Sequence, residues 1–247
     1  MPGLFVNLNN SGGFHLVNND NQGRFALSVS GSVGLVTNGL LYNLDMQNYT
    51  SGVTWPDSSG NGNNFTFQQV PTVVNNGSNT AYWSNIVNSI GAVAAGPIFP
   101  ANTDYTKGAV IRSTTGGFGS GNIIGSDGFD TLWMNGTSIL QAGNGTDFAY
   151  STVVQNGTLS YLTWYYVSVT FSLTSGWRLF VNGQFVGASS DTTPKDLSTP
   201  LIGMYRATNY FQGSIAVAQT YTRALSHAEV YANYLYYSSR YSNGIPS

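Results

Sequence analysis

Between about residues 36 and 219, apolar and polar positions alternate in short runs broken by Gly, Asn, Asp and Ser. A period of two in β-branched and aromatic residues predicts strands. The clearest run is 164–171. There Tyr165, Val167, Val169 and Phe171 share one face, and Trp164, Tyr166, Ser168 and Thr170 the other. This predicts a half-buried strand. The next run, Trp177 to Val181, leads into Asn182-Gly183 and then Gln184-Phe185-Val186. Asn-Gly supplies both positive-φ positions of a type I′ turn, so a tight hairpin is predicted. Asn135-Gly136 after Thr131-Leu132-Trp133-Met134 predicts a second hairpin, and Asn144-Gly145 and Asn156-Gly157 predict further turns. The Gly- and Pro-containing stretch from Val87 to Ala101 reads as a long surface loop.

One segment has helical spacing. Ser226 stands three residues before Glu229, the spacing of a capping box, and Val230, Tyr231, Tyr234, Leu235 and Tyr237 follow at i, i+3, i+4 intervals. Residues 1–35 carry turn-rich Asn and Gly clusters around short alternations such as Phe25 to Val29, and read as an arm or one or two edge strands. Residues 241–247 read as a tail. Many short strands and one helix predict an all-β fold, an antiparallel β-sandwich jelly roll over residues 36–240 with one short C-terminal helix.

Composition narrows the chemistry. Of 247 residues only 7% are charged, against about 25% in an ordinary soluble domain. Eight Lys and Arg without a basic cluster argue against nucleic-acid binding. The absence of Cys excludes disulfides, thiolate metal sites and cysteine nucleophiles. No apolar run is long enough for a membrane span, and Met1-Pro2-Gly3-Leu4-Phe5 does not read as a signal peptide. With 34 aromatic residues (16 Tyr, 13 Phe, 5 Trp), the chain has ample material for a core, which argues against disorder.

Three stretches resemble the laminin-G-like branch of the concanavalin A-like lectin/glucanase superfamily. The first is Leu40 to Asp45 followed by Trp55-Pro56-Asp57-Ser58-Ser59-Gly60-Asn61-Gly62-Asn63-Asn64. The second is Trp164 to Phe171 followed by Leu179-Phe180-Val181-Asn182-Gly183. The third is Gly213 to Ser226 with Glu229-Val230. They occur in family order, and the resemblance implies two packed antiparallel sheets. The middle, residues 70–160, matches the family pattern poorly.

Glycosidases of this fold use paired carboxylates. Nine of the ten acids here are Asp, and the single Glu229 is assigned to the helix cap with Ser226. Asp127 and Asp130 are three apart, so a strand would turn them to opposite faces. No catalytic residue is assigned, and the chain is expected not to be an enzyme. Asp57, Ser59, Asn61 and Asn63 alternate in a glycine-punctuated loop and all offer oxygen ligands, so a structural Ca²⁺ is one reading. The other is an Asx-turn network in which these side chains bond nearby amides. For carbohydrate, the aromatic candidates are Trp55, Tyr82, Trp83, Trp133, Trp177, Tyr205 and Tyr210, of which Trp133 and Tyr210 are the preferred pair.

A polar, uncharged surface suits dense packing against other subunits, because charge is depleted from interface cores. The favoured expectation is a non-enzymatic virion structural or surface protein, such as a capsid decoration, minor capsid or tail or fibre component. Its partners would be other virion subunits or further copies of itself, and cell-surface glycan. The alternative is a bacterial cell-surface or secreted carbohydrate-binding module. A cryptic glycosidase is third.

Overall fold

The structure is a computed structural model. It describes residues 6–7, 13–18, 25–30, 33–75, 81–84, 91–96, 98, 102–113, 121–126, 130–146, 149–193, 199–205, 210–238 and 240, with the side chains at 6–30, 75, 81–84, 130–131 and 144–157 left out. Three N-terminal strands, β1 (Val6–Asn7), β2 (Gly13–Asn18) and β3 (Phe25–Ser30), form a three-stranded sheet with one another. The remaining strands are β4 (Leu40–Asp45), β5 (Thr54–Trp55), β6 (Phe65–Phe67), β7 (Val73–Asn75), β8 (Ala81–Ser84), β9 (Ala92–Ala94), β10 (Tyr105–Ser113), β11 (Gly121–Ser126), β12 (Asp130–Met134), β13 (Ile139–Thr146), β14 (Ala149–Thr158), β15 (Trp164–Ser172), β16 (Gly176–Val181), β17 (Gln184–Ser189), β18 (Pro200–Ile202) and β19 (Gly213–Tyr221). The helix α1 spans His227–Ser238.

Two eight-stranded antiparallel sheets form the sandwich. The first runs β17-β16-β15-β10-β19-β8-β7. β4 joins β19 over Val217 to Tyr221, end to end with β8, which pairs Ser214 and Ile215. The second runs β14-β13-β12-β11-β18-β9-β6-β5. Between them lies an apolar layer that includes Trp55, Phe65, Phe67, Ile111, Leu132, Val167, Val169, Phe171 and Trp177. Trp177 packs against Phe171 at 4.8 Å and edge-on to Tyr105 at 5.8 Å, and Trp55 stacks on Phe67 at 5.2 Å.

The 164–171 run corrects the expectation of a half-buried strand: β15 is buried on both faces. Its second face meets α1, forming an outer cluster of Trp164, Tyr166, Phe180, Tyr221, Val230, Tyr234 and Tyr237. That cluster carries a buried polar network. Gln219 donates to Tyr166 Oη (2.5 Å), Asn233 donates to Tyr221 Oη (2.9 Å), and Tyr237 Oη donates to Asn43 Oδ1 (2.9 Å). Asn233 Oδ1 accepts from Val36 N–H at 3.0 Å, so the chain segment entering β4 is tied under the helix. Buried hydroxyls and amides need such partners, because an unpaired one costs about 1–3 kcal/mol.

The Asn182-Gly183 hairpin has both residues at positive φ (50° and 73°), as type I′ geometry requires, and joins β16 to β17. A hairpin also follows Met134, but its left-handed residue is Ser138 (φ 62°). The Asn135 carboxamide oxygen organises that loop by accepting from the N–H groups of Thr137 and Ile139, both at 3.0 Å. Asn144-Gly145 and Asn156-Gly157 are not turns; they lie inside β13 and β14, whose long ladder is interrupted by bulges. Interstrand pairing there outweighs local turn preference. The supposed surface loop at 87–101 contains β9, paired with β6 and β18, with Ala92 and Ala94 in the core. Small residues gave that strand no apolar signal.

Candidate functional site

The second sheet turns alternate residues away from the core. Leu132, Met134, Leu140 and Ala142 point inward, so Trp133 and Gln141 occupy the outer face. Register carries a row across the strands: Tyr210 bridges Asn122, Asn122 pairs with Trp133, Trp133 with Gln141, and Gln141 with Gln155. The two aromatic residues preferred from sequence thus share one row, separated by a single strand. Gly121 makes this approach possible, since a Cβ there would stand 2.5 Å from Tyr210 O and 2.6 Å from Phe211 Cα.

The roles of the two aromatics differ. Trp133 is only 4% exposed, and its indole N–H donates to Gln141 Oε1 at 2.8 Å. It backs the row and fixes the Gln141 carboxamide. Tyr210 is half-buried and is the aromatic of the row that meets solvent. Asn122 (2% exposed) and Gln141 (8% exposed) are buried beside Trp133, so Tyr210 is the member of the row that offers surface to a sugar ring. Sequence reasoning missed both amides. Their only signal was their register opposite Trp133, in the stretch where strand boundaries were least legible. Of the other aromatic candidates, Trp55 and Trp177 are in the core and Tyr205 is buried. The side chains of Tyr82 and Trp83 lie outside the described residues.

The Asp57 loop is built from hydrogen bonds. Asp57 Oδ1 accepts from the N–H groups of Asn43 (2.9 Å) and Ser59 (2.8 Å). Its Oδ2 accepts from Ser59 Oγ–H (2.7 Å) and Asn63 N–H (2.9 Å). The Asn61 and Asn63 amides donate to the Leu40 and Leu41 carbonyls at 2.8 Å. Four donors take the carboxylate's lone pairs, and both Asn side chains turn N–H groups toward the strand. Asp45, a possible second ligand, forms a bidentate pair with Arg240 (2.5 and 2.8 Å), and Asp104 accepts from Leu173 N–H (2.8 Å). This donor-filled arrangement does not fit Ca²⁺, which needs several free oxygens. It is an Asx-turn clasp fastening residues 57–64 onto β4.

Ser226 and Glu229 meet as a reciprocal cap. Ser226 N–H donates to Glu229 Oε2 (2.8 Å), and Glu229 N–H donates to Ser226 Oγ (3.3 Å). Arg223 binds the same carboxylate through both terminal nitrogens (3.0 and 2.5 Å). Burial pushes the Glu229 carboxyl up, but Arg223 and the Ser226 donors outweigh it and hold its pKa below the usual value. His227 contacts the Gly183 carbonyl at 2.9 Å; His15 and Asp127 have no described side chains. Among the described residues, no group of three or more His, Cys, Asp or Glu could hold a metal ion.

The fold and its outer face define an antiparallel jelly-roll sandwich of the lectin type. The chain belongs to the laminin-G-like family of the concanavalin A-like lectin/glucanases superfamily, whose family model matches residues 87–231. A search of the curated proteins finds no match. Among solved structures, Trypanosoma rangeli sialidase in complex with the inhibitor DANA is similar over 96% of this chain and 43% of its own, with 16% identity and TM-score 0.60. Domain 4 of AbnA, a GH43 extracellular arabinanase from Geobacillus stearothermophilus in complex with arabinotriose, is similar over 78% of this chain and 96% of its own, with 14% identity and TM-score 0.56. The binding domain of Paraclostridial Mosquitocidal Protein 1 is similar over 80% of this chain and 52% of its own, with 16% identity and TM-score 0.57. The chain spans from a third to under half of the sialidase chains it resembles. At these identities the likeness is one of fold.

Proposed function

We propose that this chain is a non-enzymatic surface protein that binds carbohydrate on the outer face of its second sheet. The observation that carries the non-enzymatic reading is the use of its acids. Each carboxylate whose side chain is described, namely Asp45, Asp57, Asp104, Asp191 and Glu229, accepts structural hydrogen bonds. Support for carbohydrate comes from half-buried Tyr210 at the end of the Asn122–Trp133–Gln141 row and from the arabinanase domain, whose structure is a complex with arabinotriose. We further propose a virion coat or tail setting, supported by the 7% charge content. A bacterial cell-surface or secreted module is the second reading, favoured by the match to nearly the whole of that arabinanase domain.

A glycan array tests the binding site. Wild type is expected to give hits that Tyr210→Ala weakens by about tenfold, the loss of an aromatic hot spot of ~1.4 kcal/mol or more. Hits that Tyr210→Ala and Trp133→Phe both leave unchanged would move the site elsewhere. Electron microscopy of native particles tests the setting: density for this fold in a coat or tail is expected, and its absence from any assembly contradicts that reading.

A further inference from the structure

A second candidate surface lies on the first sheet, on the face that α1 partly covers. Arg178 (β16) and Phe185 (β17) sit there side by side. Phe180 belongs to the outer cluster under α1, so Arg178, two residues earlier, and Phe185, its cross-strand partner, face the same way. The Arg178 guanidinium carbon stands 5.2 Å from the Phe185 ring centroid. Phe185 packs edge-on to Phe180 at 6.0 Å and remains 45% exposed. Thr170 and Ala188 flank Arg178 on the neighbouring strands, so short side chains leave the guanidinium standing clear.

The charge environment is one-sided. Arg112 donates to the Leu162 carbonyl, Arg223 is held by Glu229, Arg240 by Asp45, and Lys107 is buried. Arg178 is the exposed cation, among the described residues, for which the structure gives a ring contact and no acceptor. Glu229, the acid at the start of α1, is already neutralised by Arg223. A guanidinium drawn to an aromatic face keeps N–H donors to spare, and its planar fork is matched to a carboxylate. An exposed ring beside it offers a face to the C–H groups of a sugar.

The geometry points to Arg178 and Phe185 as a recognition site for a carboxylated saccharide, with the acid group on the Arg178 fork and the sugar ring against Phe185. This site is on the opposite sheet from the Tyr210 row and stands independently of it. It was not visible in sequence, where Arg178 and Phe185 read as ordinary positions of a hairpin.

The test uses the full chain and calorimetric titration with oligogalacturonate, its methyl-esterified form and poly-glutamate. Oligogalacturonate is expected to bind at least about tenfold tighter than the ester. Arg178→Gln and Phe185→Leu should each weaken that binding by about tenfold, and Arg178→Lys should weaken it several-fold because the charge survives but the fork does not. Both sites are exposed, and unchanged thermal melting of the variants certifies their folding. Tyr210→Ala should leave oligogalacturonate binding intact, so failure of one site is distinguishable from failure of the other. Equal binding of acid and ester, or binding indifferent to Arg178→Gln, overturns the inference. Poly-glutamate binding as tight as oligogalacturonate also overturns it, making the surface one for protein carboxylates.

Discussion

Lys107 is a charged side chain buried in the sandwich. It alternates with Tyr105, Ala109 and Ile111, all of which face the core, and it is 1% exposed with its amine 5.5 Å from the Tyr105 ring centroid. Burial disfavours the ammonium and lowers its pKa to about 7. The unfolded chain keeps the ordinary high value, so below pH about 7 the folded state carries the full penalty of charging the buried amine. The penalty fades as pH rises toward the unfolded value. The buried tyrosines Tyr42, Tyr105, Tyr166 and Tyr237 act oppositely: burial raises their pKa values, so stability falls once unfolded tyrosines ionise above pH 10.0. Denaturant midpoints should therefore climb from pH 7 to a maximum before pH 10. Lys107→Met should flatten the climb, and a midpoint already flat in wild type contradicts this account. Nothing in the sequence marked Lys107, because one charged residue in an alternating strand reads as a solvent-facing position.

At the scale of elements, two fastenings decide whether sheet and helix hold together. The Asp57 clasp places one carboxylate under four donors, so Asp57→Ala strands several of them and should cost about 2–4 kcal/mol, read as a lower denaturant midpoint. Melting temperature should not differ between calcium and chelator; a rise with calcium would show that the loop rearranges to bind it. The capping box with Arg223 is the second. Ser226→Ala should cost about 1 kcal/mol, and Glu229→Gln should remove stability that otherwise persists until pH falls through the depressed Glu229 pKa. The cap was legible because its two members are three residues apart, and so was the Asn182-Gly183 hairpin because both residues share one turn. The Asp57 loop was legible as a polar cluster with two readings, since the partners that fasten it, Asn43 N–H and the Leu40 and Leu41 carbonyls, sit on β4, 14 or more residues away. β9 and the long β13–β14 pair were not legible: their residues are small or turn-prone, β9 is set by pairing with β6 and distant β18, and β13 and β14 by the bulged ladder they share.

For the whole molecule, the 7% charge content and single Glu acquire a structural account. The described acids are spent on clasps, caps and turns. Trp133 and Tyr210 could be nominated from residue type alone, but their adjacency depends on Gly121 admitting the 210–211 segment beside β11, a packing event without a local sequence signal. The expected behaviour is binding without turnover. Isothermal calorimetry of the full chain against a panel of neutral and acidic oligosaccharides reads both at once. The predicted result is a saturable heat on at least one member, returning to baseline after each injection. Sustained heat flow from hydrolysis of any member, or no saturable heat across the panel, would contradict that expectation.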